Sequence, residues 1–168
     1  KGTDSYKKAW HDVFSLEKDV SNLYGEENTF RYLHLKSICL RVQDHDDMTD
    51  IQLVLAACRI THTPLTISIC KDNPLLQQVG ELVIHNAYAK TRVQTEAEFL
   101  SEMNRYERIR TCSPNLSDAF YQKAAELGKH IASDKPSIEG RLELLHYLKE
   151  QSISFEYHRY GSVFKVEN

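Results

Sequence analysis

Between residues 37 and 127 the chain alternates two kinds of segment. Two short runs rich in β-branched residues, SICLRV at 37–42 and TPLTISIC at 63–70, are each followed by a helical segment. After the first run, Ile51, Val54, Leu55 and Cys58 return every three or four positions; after the second, Asn73-Pro74 opens a helix predicted to reach about His85. Short, mostly apolar runs of this kind suit buried strands, and strands joined by helices of about a dozen residues predict βαβ units in a mostly parallel sheet. With right-handed crossovers the expected fold is α/β, a Rossmann-like three-layer sandwich.

The rest of the chain fits around this unit. TEAEFLSEM (95–103) reads as a short helix with glutamates in its first turn, RYERIRTC (105–112) as a third strand, 116–127 as a helix ended by Gly128, and KHIASDKP as a short fourth strand. Residues 138–150 are predicted to be helical, with Leu142, Leu145, Tyr147 and Leu148 as the apolar side, before SISFEYHRY closes as a last strand. At the start, Tyr6, Ala9, Trp10, Val13 and Phe14 make the stripe of a short helix, after which TFRYLHL (29–35) alternates weakly as an extended connector or edge strand. The expected division is a connector over 1–35, a Rossmann-like domain over 36–152 and an extended C-terminal docking tail over 153–168.

Composition narrows the function classes. A net charge of −3 provides no basic field for nucleic acid. No apolar run approaches the roughly 20 residues of a membrane helix, and KGTDSYKKAWHDV lacks the apolar core of a secretory signal, so a cytoplasmic location is expected. Cys39, Cys58, Cys70 and Cys112 form no C-x-x-C pair, which argues against a zinc site or a disulfide framework.

A dinucleotide site in such a sheet needs a glycine-rich first turn, so that backbone N–H groups can approach a pyrophosphate. The turn after SICLRV is QDHDDMTD: it has no glycine, and Asp44, Asp46 and Asp47 would face the phosphates with like charge. No cofactor is therefore expected on this chain. The same carboxylates, up to Asp50, suit a helix N-terminus, while Asp44, His45, Asp46 and Asp47 as an oxygen-ligand metal site would need an octahedral arrangement that sequence neighbours seldom supply. Cys70 and Cys112 close apolar strands near the expected ligand crevice and are candidate nucleophiles, yet neither has an identifiable base. In the tail, Tyr157, His158, Arg159, Tyr160, Gly161 and Phe164 combine the aromatic and arginine side chains enriched at contact centres and are assigned to an interface.

GEENTFRYLHL (25–35) and GRLELLHYLKEQSISFEYHRYGS (140–162) resemble the C-terminal region of the bifunctional proline utilisation A family, over nearly the whole chain. The closing motif, with Glu150, Gln151, Ser152, Tyr157, His158, Arg159, Tyr160 and Gly161, is the most specific part. The resemblance implies a parent that joins a flavin-dependent proline dehydrogenase barrel to an NAD-dependent L-glutamate gamma-semialdehyde dehydrogenase. That dehydrogenase uses a cysteine in a glycine-flanked turn, and no cysteine here has glycine beside it. The implied role is a non-catalytic, aldehyde-dehydrogenase-like module that covers an internal tunnel or assists assembly. NAD and FAD are implied for the parent, and the rest of that enzyme or a second copy, possibly in a homodimer, is the implied partner. The alternative is a small-molecule-binding regulatory domain or diverged enzyme using the crevice near Cys70 and Cys112.

Overall fold

The computed structural model describes residues 2–156, together with the backbone of His158–Arg159 and Ser162–Val163. Its centre is a parallel sheet of five strands: β2 (Ile38–Arg41), β3 (Leu65–Ile69), β4 (Ala89–Val93), β5 (Arg108–Arg110) and β6 (Ile131–Ala132). Their spatial order is β4-β3-β2-β5-β6. The strand order therefore reverses between β2 and β5, which is where an open α/β sheet forms a crevice beyond its carboxyl ends. Helices α2 (Met48–Thr61), α3 (Leu76–Ile84), α4 (Glu96–Glu102) and α5 (Asp118–Glu126) connect successive strands and cover the two faces. The α/β class and the layered sandwich read from the sequence are those observed.

Each face has its own apolar packing. Leu40, Ile67, Ile51, Val54 and Cys58 belong to one buried cluster, and Cys39, Ile109, Phe99, Met103 and Phe120 to the other. Helix starts follow local capping chemistry: the Asp47 side chain accepts from the Thr49 N–H at 2.7 Å, and Thr95 and Glu98 form a reciprocal capping box. His62 ends α2 in the left-handed region at φ 59° and stacks on Tyr88 at 5.5 Å between ring centroids.

Outside the sheet, β1 (Glu26–His34) and β7 (Leu148–Glu156) form a two-stranded antiparallel ribbon, in register from Glu26↔Glu156 to His34↔Leu148. Its base is tied to the domain where the Leu35 N–H and the Thr63 hydroxyl both donate to the Tyr147 carbonyl. The first helix, α1 (Gly2–Ala9), continues into a π-helical turn over Trp10–Phe14 and places Tyr6, Ala9 and Phe14 in the same core as β2 and β3.

Two predicted elements need correction, and one strand lies where no element was predicted. Residues 138–150 do not form one helix: α6 spans only Gly140–Glu143, a 3₁₀ turn covers Leu144–Tyr147, and the chain is already strand from Leu148. Leu142 and Leu145 are 62% and 42% exposed, while Leu144 is fully buried. The ribbon's backbone pairing outweighs the helical stripe, because nine residues of β7 must reach β1. The polar segment AKTRV is a strand, β4, at the sheet edge, where one face needs no apolar cover. Finally, β5 is only three residues long because Met103–Arg105 closes the preceding turn. Among the described residues no helix is long and apolar enough to cross a membrane.

Helices α1 and α6 meet at a glycine. A Cβ on Gly140 would lie 2.5 Å from the Ser5 carbonyl oxygen and 2.8 Å from the Ala9 Cβ, and the Gly140 N–H donates to Ser5 Oγ at 2.9 Å. Gly140→Ala is therefore expected to destabilise the fold by about 1–3 kcal/mol. Gly80, inside α3, has open space around its missing side chain, so Gly80→Ala should stabilise by about 0.5–1 kcal/mol. Urea denaturation of the two variants measures both, and equal shifts would contradict the packing at Gly140.

Candidate functional site: the crevice at the carboxyl ends of the sheet

Two arginines dominate this end of the sheet, one on each face. Adjacent residues of a strand point to opposite sides, and Arg110 pairs with Leu40 in register while Arg41 is the next residue along β2. Arg41 is only 2% exposed. Its guanidinium donates to Ser68 Oγ at 2.8 Å, to the Gln94 carbonyl at 3.0 Å and to Cys70 Sγ at 2.9 Å, and it lies 5.6 Å from the centre of the Phe99 ring. Among the described residues no carboxylate pairs with it, and its Nε has no hydrogen-bond partner.

Arg110 is fully buried and is paired. It donates to both carboxylate oxygens of Glu143 at 3.1 and 3.3 Å, and also to the backbone carbonyls of Thr111, Ala132 and Asp134. Glu143 further accepts from the Tyr147 hydroxyl at 2.7 Å and the Ser137 N–H at 2.8 Å. The Tyr6 hydroxyl donates to the Ser137 carbonyl, which brings α1 into the same network. Burial, then the Glu143 charge, pushes the phenols of Tyr6 and Tyr147 up, so both remain hydrogen-bond donors.

The turn after β2 is held by its own side chains. Asp44 accepts from Asn73 Nδ2 at 3.0 Å, Asp46 from the Gln43 N–H at 2.8 Å, and His45 Nε2 shares a hydrogen bond with Ser113 Oγ at 2.8 Å across the strand reversal. Asp50 reaches Lys135 at 3.7 Å. Burial pushes the Asp46 carboxyl up, and its Oδ1 is buried without a partner. Hydrogen bonds from Thr49 hold the capping Asp47 below the usual carboxylate range. The four neighbours 44–47 thus face different partners, and among the described residues no three metal-ligating side chains converge.

The first turn carries a partly buried carboxylate where the phosphate-binding turn of a dinucleotide site has bare N–H groups, and Arg41 and Arg110 direct most of their guanidinium hydrogen bonds to the protein's own acceptors. The two candidate thiols differ. Cys112 is buried, and burial pushes its thiol up; burial does the same for Cys58 and takes Cys39 up to about 12. Cys70 is partly exposed beside Arg41. The expected docking residues Tyr157, Tyr160, Gly161 and Phe164 lie outside the described residues, and for His158 and Arg159 only backbone pairing with Val163 and Ser162 is described. The sequence reading missed both arginines. The available signal was an arginine inside a run that has to be buried on both faces, since such a charge demands a partner.

Two variants test this site. Glu143→Gln leaves Arg110 buried without a counter-charge and is expected to cost about 3–5 kcal/mol in chemical denaturation. Asp46 has a raised folded pKa, so the fold favours its neutral form, and that advantage is lost as pH rises through the folded pKa. Asp46→Asn should therefore melt higher than the parent at pH 7, with the gain vanishing below about pH 4, where the unfolded carboxyl is also protonated. A gain independent of pH would exclude carboxylate burial as its cause.

No family model matches the chain, and no curated protein sequence matches it. Solved structures do. Proline utilization A (PutA) from Corynebacterium freiburgense aligns with a TM-score of 0.64 and 23% identity over 94% of this chain. An NAD+ complex of an aldehyde dehydrogenase from Bacillus cereus aligns at 0.58 with 11% identity, and a succinic semialdehyde dehydrogenase from Streptococcus pyogenes, complexed with NADP+, at 0.59 with 14%. These two alignments each cover 77% of this chain. The chain spans 13% of the PutA and 28% and 30% of the two dehydrogenases. It therefore has the fold of one part of PutA and of aldehyde dehydrogenases, over a small share of each enzyme's length.

Proposed function

We propose that the chain is a non-catalytic module of a bifunctional proline-catabolic enzyme, working in the cytoplasm in assembly or in covering an internal tunnel. The observation that carries this reading is the alignment of 94% of the chain with 13% of a PutA, the proportion of a module within a larger enzyme. The chemistry of the crevice supports it, because a carboxylate-bearing turn without glycine and arginines bonded to the protein's own acceptors disfavour a dinucleotide phosphate there. The β1–β7 ribbon supports a docking role: Ile153 and Phe155 are exposed on β7, next to the tail residues Tyr157, His158, Arg159, Tyr160, Gly161 and Phe164. The partner is the remainder of the parent enzyme or a second copy of the chain.

A second reading has one specific observation behind it. Cys70 is a partly exposed thiol whose sulfur lies 2.9 Å from a buried guanidinium that lacks a carboxylate partner among the described residues. On this reading the crevice belongs to a regulatory domain or a diverged enzyme.

Two measurements separate the readings. Isothermal titration with NAD is expected to give no binding heat, and Tyr160→Ala or Phe164→Ala is expected to weaken association with the dehydrogenase part of the parent about tenfold without altering melting. Micromolar NAD affinity would overturn the module reading. Alkylation of Cys70 at pH 7 more than about tenfold faster than in the denatured chain would favour the second.

A further inference from the structure

A parallel sheet covered by helices on both sides is apolar on both faces. Here one face departs from that rule over β2, β3 and β4. The register aligns Cys39, Thr66 and Lys90 in one row and Arg41, Ser68 and Arg92 in the next, and all six side chains share a face. Phe99 of α4 covers Arg41. Toward the amino ends of the strands, Thr66, Lys90 and Arg92 instead line an open cavity of about 460 Å³, together with Lys36, Arg105 and Tyr106. This is the end of the sheet opposite the crevice, since Lys36 and Ser37 lead into β2 and Pro64 into β3.

Lysines around a rim are ordinarily just solvated, so the floor and the charge balance decide. Thr66 and Tyr106 are 5% and 6% exposed, which puts two buried polar side chains at the cavity wall where the fold would otherwise place apolar ones. Burial pushes the Tyr106 phenol up, so it remains a donor. Of the four cations, Arg92 and Arg105 share the single carboxylate of Glu102, at 2.9 and 3.0 Å. Glu107 is engaged by Lys149 at 2.7 Å and by the Lys36 backbone N–H. Among the described residues the ammonium groups of Lys36 and Lys90 have no carboxylate within ion-pair distance. The four cations meet, among the described residues, only Glu102, shared between Arg92 and Arg105, and Glu107, shared between Lys149 and Lys36, so net positive charge along a concave, low-dielectric wall concentrates the field on an anion.

We propose that this cavity binds a compact dianion, a phosphoryl group or a short dicarboxylate. Lys36, Lys90 and the outer edge of Arg105 supply charge, and the floor hydroxyls of Thr66 and Tyr106 supply orientation. The site shares no residue with the crevice and does not rest on the module reading.

The test is NMR titration of the chain at low ionic strength with inorganic phosphate and, separately, with malonate. Saturable shifts centred on Thr66, Lys90 and Tyr106 are expected, weakening as salt approaches about 0.15 M. The Lys36→Gln, Lys90→Gln double variant alters only exposed side chains and should lower affinity about tenfold. Saturation by phosphate alone assigns a phosphoryl group, and by malonate alone a dicarboxylate; either supports the site. No saturable shift up to about 10 mM of both ligands, or unchanged affinity in the double variant, overturns it.

Discussion

One buried ion pair, Arg110 with Glu143, ties together elements from both ends of the chain. A guanidinium fully removed from water is tolerable only when a counter-charge and carbonyl acceptors replace its hydration. Glu143 supplies the charge from α6, and the carbonyls of Ala132 and Asp134 supply acceptors just beyond β6. The same carboxylate holds Tyr147, at the base of the ribbon, and the Ser137 N–H, whose carbonyl receives Tyr6 from α1. Elements far apart in sequence thus take their places from one pair. Apolar residues in place of the pair would not specify which loop, helix and strand must meet.

The pair also bears on what the sheet can do. In open α/β proteins, the space beyond the strand reversal serves a ligand because short, bare turns leave it accessible. Here Arg110 and Arg41 turn their donors onto the protein's own acceptors, and Asp46 brings a carboxylate into the turn itself. The polar, cationic stretch of sheet lies instead at the opposite end, under Lys36 and Lys90.

The central strands and their connecting helices were legible because short runs rich in β-branched residues, such as Leu65–Ile69, are buried on both faces in a layered fold. The edge strand β4 was not, because Lys90 and Arg92 alternate with Ala89, Thr91 and Val93 and read as a polar loop until a neighbouring strand supplies the hydrogen bonds. The helix predicted over 138–150 failed for a related reason: Leu142 and Leu145 look like one apolar stripe, but the pairing of Leu148 with His34 is a contact that local periodicity does not contain. At the crevice, the missing glycines were visible in QDHDDMTD. The roles of Arg41 and Arg110 were not, since a buried arginine is explained only by its partners, and those lie on other elements.

The ribbon has a kinetic corollary. Its two strands flank the whole five-stranded sheet in sequence, so β1 and β7 meet only across the entire intervening chain. Closing so long a loop carries an entropic cost that grows with the logarithm of its length, and no local turn joins the strands to lower it. The sheet, with its shorter crossovers, can assemble first and bring Leu35 and Tyr147 within reach, after which the ribbon zips outward from its base. Until the ribbon closes, its two strands remain unpaired and available to a foreign edge.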